Sequence, residues 1–146
     1  MLSHTCKYAI RAVLFLSITQ KNKALISGKE ISDALKIPAA FTGKILHQLT
    51  KKKIISSTKG PKGGFFLSEE NLEIPLIKIV ESIDGLSFFS ACGLGLKSCS
   101  ESHPCPIHKT YKMSRDSLLN LFETKKIKEL SKDVKLRKMF LVSEQP

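Results

Sequence analysis

Residues 27–67 carry two short helical patterns parted by a proline and followed at once by a glycine-dense hairpin, an order few folds accommodate. Ser27-Gly28-Lys29-Glu30 has the spacing of a capping box, in which the serine oxygen and the glutamate carboxylate satisfy free amides at a helix start. The helix it opens is expected to turn Ile31, Ala34 and Leu35 inward. Lys36-Ile37-Pro38 ends it, because proline disfavours helix in the residue before it. Pro38 also suits the first turn of a second helix, expected to run to about Lys53 and to bury Phe41, Ile45 and Leu49. Two short helices about a tight turn make a helix-turn-helix. Residues 54–59 and 65–67 are β-prone, and Gly60-Pro61-Lys62-Gly63-Gly64 between them is a turn signal, so a hairpin with a basic tip should follow. A hairpin directly after a helix-turn-helix is a wing.

The flanks complete a mainly α fold. Ala9, Ala12, Val13 and Leu16 mark one face of a helix over residues 3–20. Pro75 opens another, with Leu76, Ile79, Val80 and Ile83 on one side and Gly85 as its stop. From 86 to 106 the periodicity vanishes into a loop bearing three cysteines, and structureless stretches of this length usually carry function. Ile107, Tyr111, Ser114, Leu118 and Leu121 then step by four and three along a long helix, the seam of a two-helix interface. The charged tail from 129 to 146 is expected to fray. The expected architecture is a winged helix-turn-helix over residues 1–84, a cysteine-bearing loop over 85–106, and a dimerisation helix with its tail over 107–146.

Charge points to a polyanion. The net charge is +11, and residues 1–70 hold 12 Lys and Arg against 4 Asp and Glu, while the remainder holds 12 against 9. Neutralising phosphates with such a surface releases counterions, so double-stranded DNA is the expected partner. No stretch approaches the ~18 apolar residues of a membrane span. A cytoplasmic protein with no membrane partner is expected. In that reducing setting four cysteines suggest metal or redox chemistry rather than a disulfide framework.

In a helix-turn-helix the second helix enters the major groove N-terminus first. Here that end offers Pro38, Ala40 and Gly43, small enough for close backbone approach, with Thr42 and Lys44 as hydrogen-bonding candidates. On the wing, Ser57, Lys59, Gly60, Lys62 and Gly63 are the candidate contacts, a cation there being able to enter a minor groove or clasp phosphate.

Cys92, Cys99 and Cys105 are separated by six and five residues, which is not the CxxC spacing of a zinc knuckle. Three thiolates on one loop could wrap an iron–sulfur cluster. His108, about one helical turn after Cys105, is the candidate fourth ligand, with His103 a competitor. A disulfide among the loop cysteines is the other chemistry this set allows. Cys6 reads as a small buried residue.

Together the wing segment Ser56-Ser57-Thr58-Lys59-Gly60-Pro61-Lys62-Gly63-Gly64-Phe65, the Glu73-Ile74-Pro75-Leu76 helix start, the Gly85 stop and the triple-cysteine loop resemble the winged-helix bacterial repressors typified by IscR and NsrR. That resemblance implies a homodimer with crossing long helices, a promoter palindrome as target, and Cys92, Cys99 and Cys105 as cluster ligands near the dimer interface. His108 is similar to the histidine of the 2Fe–2S branch, with 4Fe–4S the other type. The chain departs from the pattern in three ways. Its first cysteine spacing is one residue longer, Lys7 stands where NsrR-type members take an aspartate, and Gly43 stands where IscR-like members carry glutamate.

The expected function is thus a promoter-binding regulator, in the repressor mode, controlled by the cluster. A thiol/disulfide switch on the same fold is the nearest alternative, and a protein-interaction module without DNA binding the more distant one. No phosphate-binding glycine loop, carboxylate pair or nucleophile motif is present, so an enzyme is not expected.

Overall fold

The computed structural model describes residues 1–20, 24–137 and 141. Helix α1 (His4–Thr19) starts at Ser3, whose hydroxyl accepts from the Cys6 amide, and it packs against four other helices as the hub of the core. It therefore buries Cys6, Leu14 and Ser17 as well as the expected face of Ala9, Ala12, Val13 and Leu16.

Helix α2 (Gly28–Leu35) begins with the expected capping box, the Ser27 hydroxyl accepting from the Glu30 amide at 3.2 Å and the Glu30 carboxylate from the Ser27 amide at 2.8 Å. Ile31 and Leu35 are buried as expected, but Ala34 is exposed and Ser32 takes the inward position. The helix ends because Lys36 adopts a left-handed conformation (φ 53°), and only then does the chain reach Pro38. Helix α3 (Ala39–Lys51) has Pro38 as its N-cap rather than inside its first turn. It buries Thr42, Ile45, Leu46 and Leu49. Phe41, expected in this core, is instead 48% exposed, because the inward face of the first turn is occupied by Thr42.

The wing is the antiparallel pair β1 (Ser56–Thr58) and β2 (Gly64–Phe66), in register Ser57 opposite Phe65. A third segment joins it, Ile26 pairing with Phe65 through reciprocal backbone bonds of 3.0 and 2.8 Å. Gly63 and Gly64 are required by space. A Cβ on Gly63 would lie 2.1 Å from the Thr58 carbonyl, and one on Gly64 2.9 Å from that of Ile26. Gln20, at the end of α1, closes the wing base by donating to the Leu67 carbonyl at 2.6 Å and accepting from the Leu67 amide at 2.7 Å.

A short helix α4 (Glu69–Leu72), not expected from periodicity, opens with a second capping box between Ser68 and Asn71. Buried Asn71 also accepts from the Ser56 hydroxyl and donates to the Lys53 carbonyl, tying α3, the wing and α4 at one point. Helix α5 (Leu76–Ile83) starts after Pro75, and Gly85 (φ 75°) follows its end. Asp84 there accepts from both the amide and the hydroxyl of Ser3.

After the loop come two helices rather than one long one, α6 (His108–Thr124) and α7 (Ile127–Arg137). The expected fraying from residue 129 is overturned up to 137. Helix α7 packs on α1, with Ile127 fully buried and Ser131 nearly so, because α1 is apolar around most of its circumference. The rest of that expected tail, 138–140 and 142–146, lies outside the described residues. The turn between α6 and α7 is pinned to the start of α5, Leu76 donating to Lys125 at 2.9 Å and Ile127 to Ile74 at 3.0 Å. No described helix is long and apolar enough to cross a membrane.

Candidate nucleic-acid interface and cysteine loop

Helix α3 and the wing enclose a groove of about 500 Å³ lined by Gly43, His47, Lys51, Ser57, Lys59 and Gly63, among others. Gly43, His47 and Lys51 recur every four residues, so they form the outward stripe opposite buried Ile45 and Leu49. His47 lines the groove without being among the expected contacts, having no partner visible in sequence, although this spacing marks it. The N-terminus of α2 joins the groove through Ser27 and Gly28.

The expected contacts are not all alike. Pro38, Ala40, Gly43, Lys44, Ser57, Lys59, Gly60 and Lys62 are exposed, and Gly63 is half-buried. Thr42 is 3% exposed and its hydroxyl donates back to the Pro38 carbonyl at 3.2 Å, which withdraws it from any groove. Lys59 lines the α3 side of the wing, whereas Lys62 lines a hollow on the other side with Ser27 and Glu30.

In the loop, Cys92 is nearly buried while Cys99 and Cys105 are half-buried. The Cys92 thiol is held below the usual cysteine range, chiefly by the backbone amides of Leu94 and Leu96, with the Cys105 side chain and the Gly95 amide contributing less. Cys99 Sγ lies 3.4 Å from His108 Nδ1. His108 is 9% exposed, and its Nε2 is buried without a hydrogen-bond partner. His103 is exposed and bonds only within its own turn, to Ser100 and Ser102, so it does not share this site. Among the described residues no three His, Cys, Asp or Glu side chains converge at the spacing of a single metal ion. Three thiols and an imidazole with an orphaned buried nitrogen nonetheless match the donor set of an iron–sulfur cluster in kind and number.

The scaffold around the loop is specific. Gly93 lies against the Tyr111 ring, where a Cβ would come within 2.8 Å. Arg115 donates to the carbonyls of Ser90 and Ala91 at 3.1 and 2.9 Å. Cys6 stands apart on α1, fully buried, its thiol pushed up to about 12 by burial and then by Asp84. The expected helical seam is largely open to solvent on α6: Ile107 and Leu121 are 41% and 46% exposed.

Comparisons with known proteins agree on this architecture. Residues 2–133 match the model of the Rrf2 family, described as an iron-dependent transcriptional regulator. The chain is 32% identical over 130 residues, 88% of its length and 89% of the other's, to a protein of Aquifex aeolicus named as an HTH-type transcriptional regulator. It is 26% identical over 142 residues, 94% and 95% of the two lengths, to the HTH-type transcriptional regulator NsrR of Shouchella clausii. Among solved structures, CymR, the global cysteine regulator of B. subtilis, superposes with a TM-score of 0.74 over 90% of this chain and 96% of that one, at 16% identity. A three-helix core with a wing, a cysteine loop before α6 and a family match across nearly all of these elements lead to one assignment: the chain belongs to the Rrf2 family of transcriptional regulators.

Proposed function

We propose that this transcriptional regulator works as a homodimer on a promoter palindrome, and that an iron–sulfur cluster held by Cys92, Cys99 and Cys105, with His108 as fourth ligand, controls its DNA binding. The observation that carries the cluster reading is His108. A buried imidazole nitrogen with no partner is costly, and it sits beside Cys99 and one turn beyond Cys105. A histidine ligand favours the 2Fe–2S type, with 4Fe–4S the alternative. The cluster would supply electron-transfer or ligand-release chemistry, while the chain's own part is to hold thiolates and to couple the loop to α6 through Tyr111 and Arg115. The open seam of α6 supports a second copy packing there, as two-helix interfaces do.

On DNA, α3 lies in the major groove with Pro38, Ala40, Gly43 and Lys44 toward the bases. The wing brings Ser57, Lys59, Gly60, Lys62 and Gly63 to the adjacent minor groove and its phosphates. The basic groove between them supports this reading. Anaerobically purified protein should be coloured, with visible absorbance lost in Cys99→Ser. Colourless protein with all thiols free would sink the cluster.

A second reading draws on the same loop. The Cys92 thiol is lowered, chiefly by the Leu94 and Leu96 amides and in part by the Cys105 side chain, so these two cysteines could act as a dithiol switch. Iron-free protein that closes a Cys92–Cys105 disulfide and changes DNA affinity with it would decide for that reading.

A further inference from the structure

Phe41 is a large apolar side chain left 48% exposed on the first turn of α3, beside rather than on the groove-lining stripe of Gly43, His47 and Lys51. It is not loosely placed. Its ring meets Tyr8 edge-on, with centroids 6.3 Å apart and planes at 67°. Tyr8 is capped on its face by the Arg11 guanidinium at 5.9 Å and flanked by His4 at 6.4 Å. Arg11 is itself anchored, donating to the carbonyls of Leu35 at 2.8 Å and Leu141 at 2.6 Å. An exposed ring braced from behind loses little freedom when something packs on it, which is the requirement for an efficient contact.

The surrounding turn narrows what that contact is. Pro38, Ala39, Ala40 and Gly43 are exposed but carry no hydrogen-bonding side chain, and Thr42 is turned inward. Up to Lys44, the side chains at the opening of α3 therefore present carbon, not donors and acceptors, to whatever lies before them. The apolar group that unmodified DNA shows on its major-groove edge is the C5-methyl of thymine. We infer that Phe41 is a specificity-determining residue that packs on a thymine methyl in each half-site. This rests on the DNA-binding reading above.

The test begins by selecting duplexes from a randomised pool with the purified protein. Each thymine of the selected half-site is then replaced in turn by uracil, which removes the methyl and leaves pairing intact. At one thymine the wild type should weaken about fourfold, the factor that ~0.8 kcal/mol per buried methyl corresponds to. Phe41→Ala, with its fold checked by circular dichroism, should bind the thymine and uracil duplexes equally. Wild-type protein indifferent to uracil at every position would overturn the inference without need of any variant. So would a Phe41→Ala protein that keeps the full thymine preference. Failure to enrich any duplex would overturn the DNA-binding reading itself, and would be evident before uracil is introduced.

Discussion

Arg115 donates from Nη1 to the Ala91 carbonyl at 2.9 Å, fastening α6 to the residue just before Cys92. The side chain is 8% exposed, its guanidinium rests 6.0 Å from the Tyr111 ring centre, and its Nε is buried without a hydrogen-bond partner. The loop's first cysteine is thus placed from α6, the helix that also carries His108.

Arg115→Ala should release this fastening. Hydrogen bonds to a charged donor contribute about 1.5 kcal/mol at the low end, so amides of residues 92–96 should exchange roughly tenfold faster with α6 protection unchanged. Arg115→Lys should recover part of the protection. Hydrogen exchange resolved by fragment in cluster-free protein checks this; unchanged rates would show that the loop is held without Arg115.

The wing depends on an absent side chain. Gly63→Ala would drive a Cβ to within 2.1 Å of the Thr58 carbonyl, so the hairpin tip must open. The expected outcome is a loss of DNA affinity of tenfold or more, on the order of the 1–3 kcal/mol of a specific contact, with the helical far-ultraviolet signal intact. Fluorescence anisotropy with a selected duplex measures it. Lys59→Ala, by contrast, should weaken all sequences alike and reduce the salt slope by about one if it clasps phosphate.

Asn71 is 6% exposed and meets Ser56, Ser68 and Lys53 at once. Asn71→Ala leaves the Lys53 carbonyl and the Ser68 amide without it, so unfolding free energy should fall by about 1–3 kcal/mol in urea titration. Asn71→Asp, which keeps the acceptor but loses the amide donor, should fall between that variant and the wild type.

Glu73 is pulled down to about 2 by hydrogen bonds from Lys126 first and Lys128 second. A carboxyl lowered in the folded state adds stability above its unfolded value of about 4.5 and loses it as pH falls toward about 2. The melting temperature of wild type should therefore exceed that of Glu73→Gln at neutral pH, with the gap closing across that acidic window. Because the pair is exposed, the gap should be small and should shrink with salt. A gap that persists below pH 2 would assign it to packing rather than charge.

The frame of the fold was legible where chemistry is local. Ser27 and Glu30 announced α2, Pro75 announced α5, and the five-residue run from Gly60 to Gly64 announced the wing tip. What escaped was set by tertiary neighbours. Phe41 has the right spacing for a core residue, yet Thr42 occupies the inward position and Phe41 finds Tyr8 outside. The charged stretch after residue 127 gives no apolar stripe strong enough to overrule its lysines, yet α1 supplies a second apolar side that α7 covers. Asn71 and Arg115 are invisible to periodicity because their roles lie in bonds to residues 15 to 25 positions away. In the candidate site, spacing singled out the cysteines and His108 as candidates, but not that Cys99 lies against His108.

In the proposed function the loop's occupant sets DNA affinity. The direct measurement is an anaerobic anisotropy titration of one selected duplex with cluster-loaded protein and with the same preparation after chelation. Coupling of the usual allosteric size gives affinities at least about fivefold apart, and Cys99→Ser should follow the chelated curve under both conditions. Superimposable curves for loaded and chelated protein would contradict the account.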